Sequence, residues 1–135
     1  MDKEKLLEAA WAARENAYVP YSNFKIGAAV LGEDGKIYTG CNIENASYGL
    51  SVCGERTAIF KMVSEGCKRF TALALVGGGD GDSAPCLACR QVMTEFCRSW
   101  DVPVYVCGLG RSKVWTHTVA ELCPLPFVMF EKDGD

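Results

Sequence analysis

The chain has 135 residues, 49% of them apolar, and a net charge of −3 from 14 Lys and Arg against 17 Asp and Glu. This size and apolar content predict a single folded domain over residues 1–135 and exclude a disordered binding segment. The slightly acidic balance argues against a protein that grips nucleic acid through its phosphates. No apolar run is long enough to span a membrane.

The first half of the chain predicts a helix, a hairpin and a second helix. Leu6, Ala10 and Ala13 recur at helical spacing. Asp34-Gly35 lies between two apolar runs and is typical of a hairpin turn, and Gly66 is a natural helix stop. The predicted elements are a helix over 3–17, strands over 24–31 and 37–43, and a helix over 53–65.

The second half alternates strands and helices. Pro85 suits the first turn of a helix, and Thr118 with Glu121 matches a capping box. The predicted elements are a strand over 71–76, a helix over 85–100, strands over 102–107 and 114–116, and a short helix after residue 118. The alternation predicts an α/β fold, a three-layer α/β/α sandwich around a mixed five-stranded sheet.

The chain has eight cysteines and a single histidine, His117. A cysteine fraction of about 6% is below that of disulfide scaffolds. No apolar segment typical of a secretory signal follows Met1. We therefore expect a cytoplasmic protein with reduced thiols, and we expect His117 at the surface or an interface.

Cys86 and Cys89 form a C-x-x-C motif directly after Pro85, at the start of a predicted helix. The positive end of the helix dipole favours thiolates there. Taken alone, this motif is equally consistent with a redox pair and with a metal site.

Cys53-Gly54-Glu55 opens another predicted helix. Together with the later C-x-x-C, it matches the arrangement of zinc deaminases, in which the glutamate does not bind the metal. Three thiolates leave the fourth position of a tetrahedral zinc open, as a catalytic site requires. Since three thiolates carry excess negative charge, Arg56 is expected to tune the zinc by bonding back to Cys53.

The sequence resembles the small, tetrameric cytidine deaminases over nearly its whole length. The resemblance implies that Cys53, Cys86 and Cys89 bind one Zn²⁺ per subunit and that Glu55 is the proton shuttle. The motifs that carry it lie at 21–29, 40–46, 53–58 and 85–92.

The same resemblance implies a nucleoside pocket. Asn42 and Glu44 match residues that hydrogen-bond the ribose, and Phe24 matches an aromatic that packs near the pyrimidine. Residues two apart at a strand end share a face, and an amide beside a carboxylate suits sugar hydroxyls. A polar strand end facing water and plain core packing of Phe24 are the alternatives.

Tyr48 and Phe127 match positions that this family contributes across subunit boundaries, which implies a homotetramer with shared active sites. Two positions depart from the family. Gly54 stands where alanine is usual, and its backbone N–H can still bond the base. Leu87 stands where glycine is usual, which bears on pocket shape and substrate range.

These residues predict zinc-dependent hydrolysis of cytidine and 2′-deoxycytidine to their uridine forms with ammonia release, a step of pyrimidine salvage. A deaminase of blasticidin S or of a modified cytosine is the first alternative. A non-catalytic, zinc-stabilised binding module is the second, and a thiol redox protein with a Cys86–Cys89 disulfide is the third. The acidic balance disfavours editing of polynucleotides.

Overall fold

A computed structural model describes residues 3–129. The nine predicted elements occur in the predicted order, and one short 3₁₀ turn is added at Tyr48–Leu50. The helices are α1 (Lys3–Arg14), α2 (Gly54–Ser64), α3 (Leu87–Phe96) and α4 (Val119–Leu122). The strands are β1 (Gly27–Gly32), β2 (Ile37–Cys41), β3 (Phe70–Val76), β4 (Pro103–Cys107) and β5 (Val114–Thr118).

The five strands form one mixed sheet in the order β2-β1-β3-β4-β5. Only the β3–β4 pair is parallel; the other three pairs are antiparallel. Helix α1 packs on one face of the sheet, and α2 and α3 pack on the other. The predicted three-layer α/β/α sandwich is confirmed.

Glycines bring two of the helices unusually close to the sheet. A Cβ placed on Gly27 in β1 would lie 2.0 Å from the carbonyl oxygen of Ala10 in α1. A Cβ on Gly40 in β2 would lie 2.4 Å from the backbone nitrogen of Ala58 in α2. The position of α2, which Cys53 caps and whose first turn carries Glu55, therefore depends on Gly40.

The larger core lies between the sheet and the α2–α3 layer. Ile59, Met62 and Met93 from the helices and Phe70 and Leu73 from β3 are fully buried in it. Burial of each such side chain is worth about 1.5–3 kcal/mol, so the two helices that carry the cysteine motifs are fixed firmly to one face.

Three predicted boundaries differ from the observed ones by three or more residues, and the others agree within two. Helix α1 ends at Arg14 rather than 17, since the next residues turn with short-range bonds before Tyr18 pairs with Asn42. Strand β1 begins at Gly27 rather than 24, because the side chain of Asn42 bonds the backbone of Phe24 and Ile26. Helix α3 ends at Phe96 rather than 100, because Cys97 pairs with Phe70.

His117 lies on β5, where its Nε2 is 2.7 Å from Oδ2 of Asp82. This contact ties the glycine-rich segment 77–82, which leads from β3 towards α3, to the edge of the sheet. Both side chains are partly exposed, as expected for a surface histidine. In the described part of the chain, no helix is both long and apolar enough to cross a bilayer.

Candidate active site

The starts of α2 and α3 meet on the same side of the sheet, and a cysteine caps each of them. Cys53 precedes α2 and Cys86 precedes α3, both with extended backbone, and neither sulfur bonds the backbone of its own helix. The sulfurs are therefore free for another ligand. The unpaired N–H groups of both first turns favour negative charge at this point.

The sulfurs of Cys53, Cys86 and Cys89 all lie within 4.8 Å of one another. The Cys53–Cys86 distance is 3.7 Å and the Cys86–Cys89 distance is 3.4 Å. A tetrahedral zinc with Zn–S bonds of about 2.3 Å places its sulfurs roughly 3.8 Å apart. The soft donors and their spacing therefore fit zinc, and Cys86 leaves one side of the group exposed to solvent.

Arg56 supplies positive charge to this group. Its Nη2 donates to the Cys53 sulfur at 3.5 Å, as the three-residue spacing predicts. A hydrogen bond from the Cys89 thiol, helped by Arg56, lowers the pKa of Cys53 to about 5. The same bond and burial raise the pKa of Cys89. Of Cys53 and Cys89, Cys53 therefore ionises first.

Glu55 is only 3% exposed, although it is charged in water at neutral pH. It lies in the first turn of α2, two residues after Cys53. Desolvation by burial raises its pKa to about 7. A carboxyl group of this kind can both accept and release a proton near neutral pH, which is what a general acid and base requires.

A second group of predicted site residues gathers at the loop 21–26. Asn42, directly after β2, accepts from the Ile26 N–H at 2.9 Å and donates to the Phe24 carbonyl at 2.7 Å. Its side chain thus replaces a neighbouring strand for this stretch of backbone. The amide thus fixes the backbone of Phe24, whose side chain is 47% exposed.

Glu44 anchors the beginning of the same loop. Its carboxylate accepts from the backbone N–H groups of Tyr21 and Ser22, each at 3.1 Å, and from the Ser22 hydroxyl. The Ser22 hydroxyl bond is the main reason that the pKa of Glu44 is lowered. Phe24, Asn42 and Glu44 therefore form one connected unit, which sequence spacing alone indicated only for Asn42 and Glu44.

The remaining predicted residues lie at the surface. Tyr48, in the 3₁₀ turn, is 69% exposed, and its ring meets Tyr21 edge-on with centroids 6.1 Å apart. Phe127, after α4, is also 69% exposed. Leu87, the first residue of α3, is 76% exposed beside Cys86. Gly54 is buried against the end of β2.

Two neighbours of the C-x-x-C motif organise the surrounding backbone, and sequence reasoning did not assign them a role. Arg90 donates from Nε to the Pro85 carbonyl at 2.6 Å and from Nη1 to the Leu122 carbonyl at 3.2 Å. Gln91 bonds Phe127. Their adjacency to Cys89 was the available signal, but the partners lie too far along the chain for a local pattern to reveal.

All eight cysteines are free thiols. Three belong to the metal group. The other five, Cys41, Cys67, Cys97, Cys107 and Cys123, are mostly buried, as expected for small apolar side chains.

Comparison with known proteins places this geometry in context. A family model described as the cytidine and deoxycytidylate deaminase zinc-binding region matches residues 1–105. A cytidine deaminase from Sporosarcina psychrophila is 53% identical over 127 residues, covering 94% of this chain and 92% of that protein. One from Halalkalibacterium halodurans is 50% identical over 127 residues, covering 94% of this chain and 95% of that protein.

Solved structures agree. The crystal structure of cytidine deaminase from Burkholderia pseudomallei has a TM-score of 0.88 at 47% identity, covering 94% of this chain and all of that chain. That from Mycobacterium tuberculosis has a TM-score of 0.79 at 37% identity, covering 96% of this chain and 99% of that chain. The three convergent thiols, the buried glutamate beside them and these similarities show that the chain belongs to the cytidine and deoxycytidylate deaminase family.

Proposed function

We propose that this chain hydrolyses cytidine and 2′-deoxycytidine to uridine and 2′-deoxyuridine, with release of ammonia. One observation carries the proposal: the buried carboxyl group of Glu55 lies in the same helical turn that brings Cys53 to Cys86 and Cys89. A structural metal site has no use for a carboxyl group there. The relatives named cytidine deaminase at 50–53% identity support the substrate.

The three thiolates would hold one Zn²⁺ per chain. When bound, the ion acts as a Lewis acid that lowers the pKa of water. Arg56 offsets part of the negative charge that the thiolates bring to the site. The starts of α2 and α3 contribute in the same sense through their dipoles.

Glu55 moves the protons. In the proposed order, its carboxylate takes a proton from the attacking water and gives it to N3 of the pyrimidine as the new C–O bond forms at C4. It then carries the water's second proton from the new C4 hydroxyl to the departing amine, so that ammonia leaves as the C4–N bond breaks and the C4 carbonyl forms. Its raised pKa, caused by burial, suits both directions of transfer.

Asn42, Glu44, Phe24 and Gly54 are proposed to bind the nucleoside. Oε1 of Glu44 accepts both backbone N–H groups, but Oε2 accepts only the Ser22 hydroxyl and keeps a lone pair. The Asn42 amide keeps one N–H after bonding the Phe24 carbonyl, so both side chains retain capacity for ribose hydroxyls. Phe24 offers an exposed ring to the base. The backbone N–H of Gly54, at the start of α2, is free of an intrahelical partner by its position.

We further propose a homotetramer with shared active sites, in the cytoplasm. Tyr48 and Phe127 each expose an aromatic ring, and Leu87 adds an exposed apolar side chain beside Cys86. Covering such apolar side chains with a second copy of the chain removes them from water, which favours association. The reduced state of all eight cysteines favours a reducing compartment.

A related aminopyrimidine nucleoside, such as blasticidin S, is the second candidate substrate. The observation that favours it is Leu87, which projects into solvent next to Cys86 where the family usually has glycine. The chemistry at Glu55 would be unchanged, and only the preferred substrate would differ.

The test measures ammonia release from cytidine, 2′-deoxycytidine, cytosine and blasticidin S, together with zinc per chain. Glu55→Gln should keep its zinc and lose at least about 100-fold in kcat. Glu65→Gln, at the exposed end of the same helix, is the matched control and should behave like the wild type. Full zinc content without turnover of any substrate in the wild type would instead support a binding module.

A further inference from the structure

The segment after α4 exposes large apolar side chains without regular secondary structure to hold them. Leu125, Phe127 and Met129 are 93%, 69% and 80% exposed. An irregular segment of this kind has high conformational entropy unless its backbone is fixed. Its side chains can occupy defined positions only if something binds that backbone.

Gln91 binds it at one residue. The Gln91 Nε2 donates to the Phe127 carbonyl at 2.9 Å, and its Oε1 accepts from the Phe127 N–H at 3.0 Å. Both hydrogen bonds that Phe127 makes within residues 3–129 thus go to one side-chain amide, 36 residues away. The pairing fixes the backbone of Phe127 while leaving its ring exposed.

The other end of the segment is fixed from the same helix. Arg90 holds the Leu122 carbonyl at the end of α4 and the Pro85 carbonyl just before Cys86. Consecutive residues of α3 therefore hold residues 122 and 127, and the same helix begins with the candidate zinc ligands. The position of Phe127 is set by the element that sets the metal site.

We propose that Gln91 is a positioning residue that presents the ring of Phe127 to the active site of a neighbouring copy of the chain. The inference rests on the proposed deaminase function and its shared sites. Gln91 acts through Phe127 and touches no substrate itself. Its amide orders the segment before assembly, so that binding the nucleoside does not have to order it.

Gln91→Met is the first variant. Methionine keeps the length, the helix propensity and the packing of glutamine but makes neither bond. With two hydrogen bonds lost, we expect KM for cytidine to rise roughly fivefold to thirtyfold. A Phe127 ring that contacts the nucleoside equally before and during the reaction contributes to binding and not to the chemical step, so kcat should change less than twofold. Zinc per chain should stay at the wild-type value.

A double-mutant cycle tests whether Gln91 works through Phe127. Phe127→Ala should raise KM, and adding Gln91→Met to it should raise KM no further. Glu95→Gln, exposed one turn later on α3, is the control for a polar change on the same helix and should leave KM unchanged. Additive effects of Gln91→Met and Phe127→Ala would overturn the proposal.

Mixed oligomers test whether the effect crosses between subunits. Chains carrying Glu55→Gln and chains carrying Gln91→Met are co-expressed with different tags, and oligomers bearing both tags are purified. Working sites then belong to Gln91→Met chains, and some receive Phe127 from a Glu55→Gln partner with an intact Gln91. We expect a kinetic component with the wild-type KM.

A single raised KM in the mixed oligomers would mean that Gln91 serves only its own subunit and would overturn the proposal. So would a wild-type KM in folded, zinc-loaded Gln91→Met. If Gln91→Met does not fold, Gln91→Glu, which keeps the acceptor for the Phe127 N–H, takes its place in the same cycle. Failure of the deaminase assignment is distinguished by absent turnover in the wild type itself.

Discussion

The guanidinium group of Arg56 donates to the Cys53 sulfur at 3.5 Å, and its buried Nε has no hydrogen-bond partner among the described residues. A cation is therefore held at one of three clustered thiols. The hydrogen bond from the Cys89 thiol and, to a smaller extent, Arg56 both lower the pKa of Cys53 and so stabilise its thiolate.

Replacing Arg56 by glutamine should weaken zinc binding and turnover. The pKa of Cys53, lowered to about 5 in the wild type, rises when the cation is removed, so zinc should be released at a higher pH. Loss of a residue that supports a metal ligand costs about 10- to 100-fold in affinity or activity. Chelator competition across a pH series and kcat for cytidine measure the effect. Arg98→Gln is the control at an exposed arginine, and unchanged zinc affinity in Arg56→Gln would contradict the role.

Asn42 offers a test of how the Phe24 loop is held. Asn42→Ala removes both loop bonds, whereas Asn42→Asp keeps the acceptor for the Ile26 N–H and loses the donor to the Phe24 carbonyl. We expect faster hydrogen exchange at the Ile26 amide in Asn42→Ala only, and a raised KM for cytidine in both. Equal exchange rates in the two variants would show that the Asn42–Ile26 bond does not order the loop.

Replacement by alanine should be far more disruptive at Gly40 than at Gly54. A Cβ at Gly40 meets backbone of α2 at 2.4 and 2.6 Å, so Gly40→Ala must push the helix outward. Overpacking of this kind costs about 1–3 kcal/mol in the free energy of unfolding, and it should also reduce kcat by moving Glu55. A Cβ at Gly54 comes no closer than 3.3 Å to the Cys41 backbone.

Gly54→Ala should therefore keep the wild-type fold and stay within about 1 kcal/mol of its stability. Chemical denaturation of the zinc-loaded protein and kcat for cytidine compare the two variants. A Gly40→Ala protein as stable and active as Gly54→Ala would refute the close-packing argument.

Removing one candidate ligand should uncouple stability from metal. A ligand that binds only the folded state raises the melting temperature by mass action. Chelation should therefore lower the melting temperature of the wild type by several degrees and leave that of Cys86→Ser unchanged. Cys123→Ser, at a partly exposed thiol outside the metal group, should respond to the chelator as the wild type does; thermal scans with and without chelator decide.

The stability that Glu44 gives to the loop 21–26 should depend on pH. Its folded pKa is below the ordinary value of 4.5, chiefly because of the bond from the Ser22 hydroxyl. Its stabilising contribution is therefore complete above pH 4.5 and is lost as the pH falls through the lower, folded pKa. The wild type should exceed Glu44→Gln in stability at pH 6, and the difference should shrink below pH 4.5. Glu15→Gln at an exposed site should show no such trend, and a difference independent of pH would contradict the prediction.

The order of the elements and the grouping of the three thiols could be predicted because both depend on patterns of residues close together in the sequence. Apolar spacing marks α1, α2 and β3, and C-x-E with C-x-x-C marks two helix starts. What the sequence could not predict depends on distant partners. Residues 24–26 alternate like a strand, yet a side-chain amide 16 residues away takes the place of a neighbouring strand.

The same limit applies at the end of α3 and beyond α4. The helical pattern continues past Phe96, but Cys97 pairs with Phe70 instead, which favours extended backbone. The bonds from Gln91 to Phe127 span 36 residues and involve a segment with no periodic pattern. Both pairings depend on residues that come together only when the sheet and helices are assembled, so local patterns cannot reveal them.

The spacing of the candidate ligands has a consequence for how the chain folds. Cys86 caps α3 and Cys89 lies in its first turn, so the two can share a metal ion as soon as α3 begins to form, whereas Cys53 lies 33 residues before Cys86. Bringing it to the ion closes a long loop, at an entropic cost that only the packing of α2 and β3 offsets. We expect the third metal–sulfur bond to form late in folding and to act thereafter as a cross-link between the two helices.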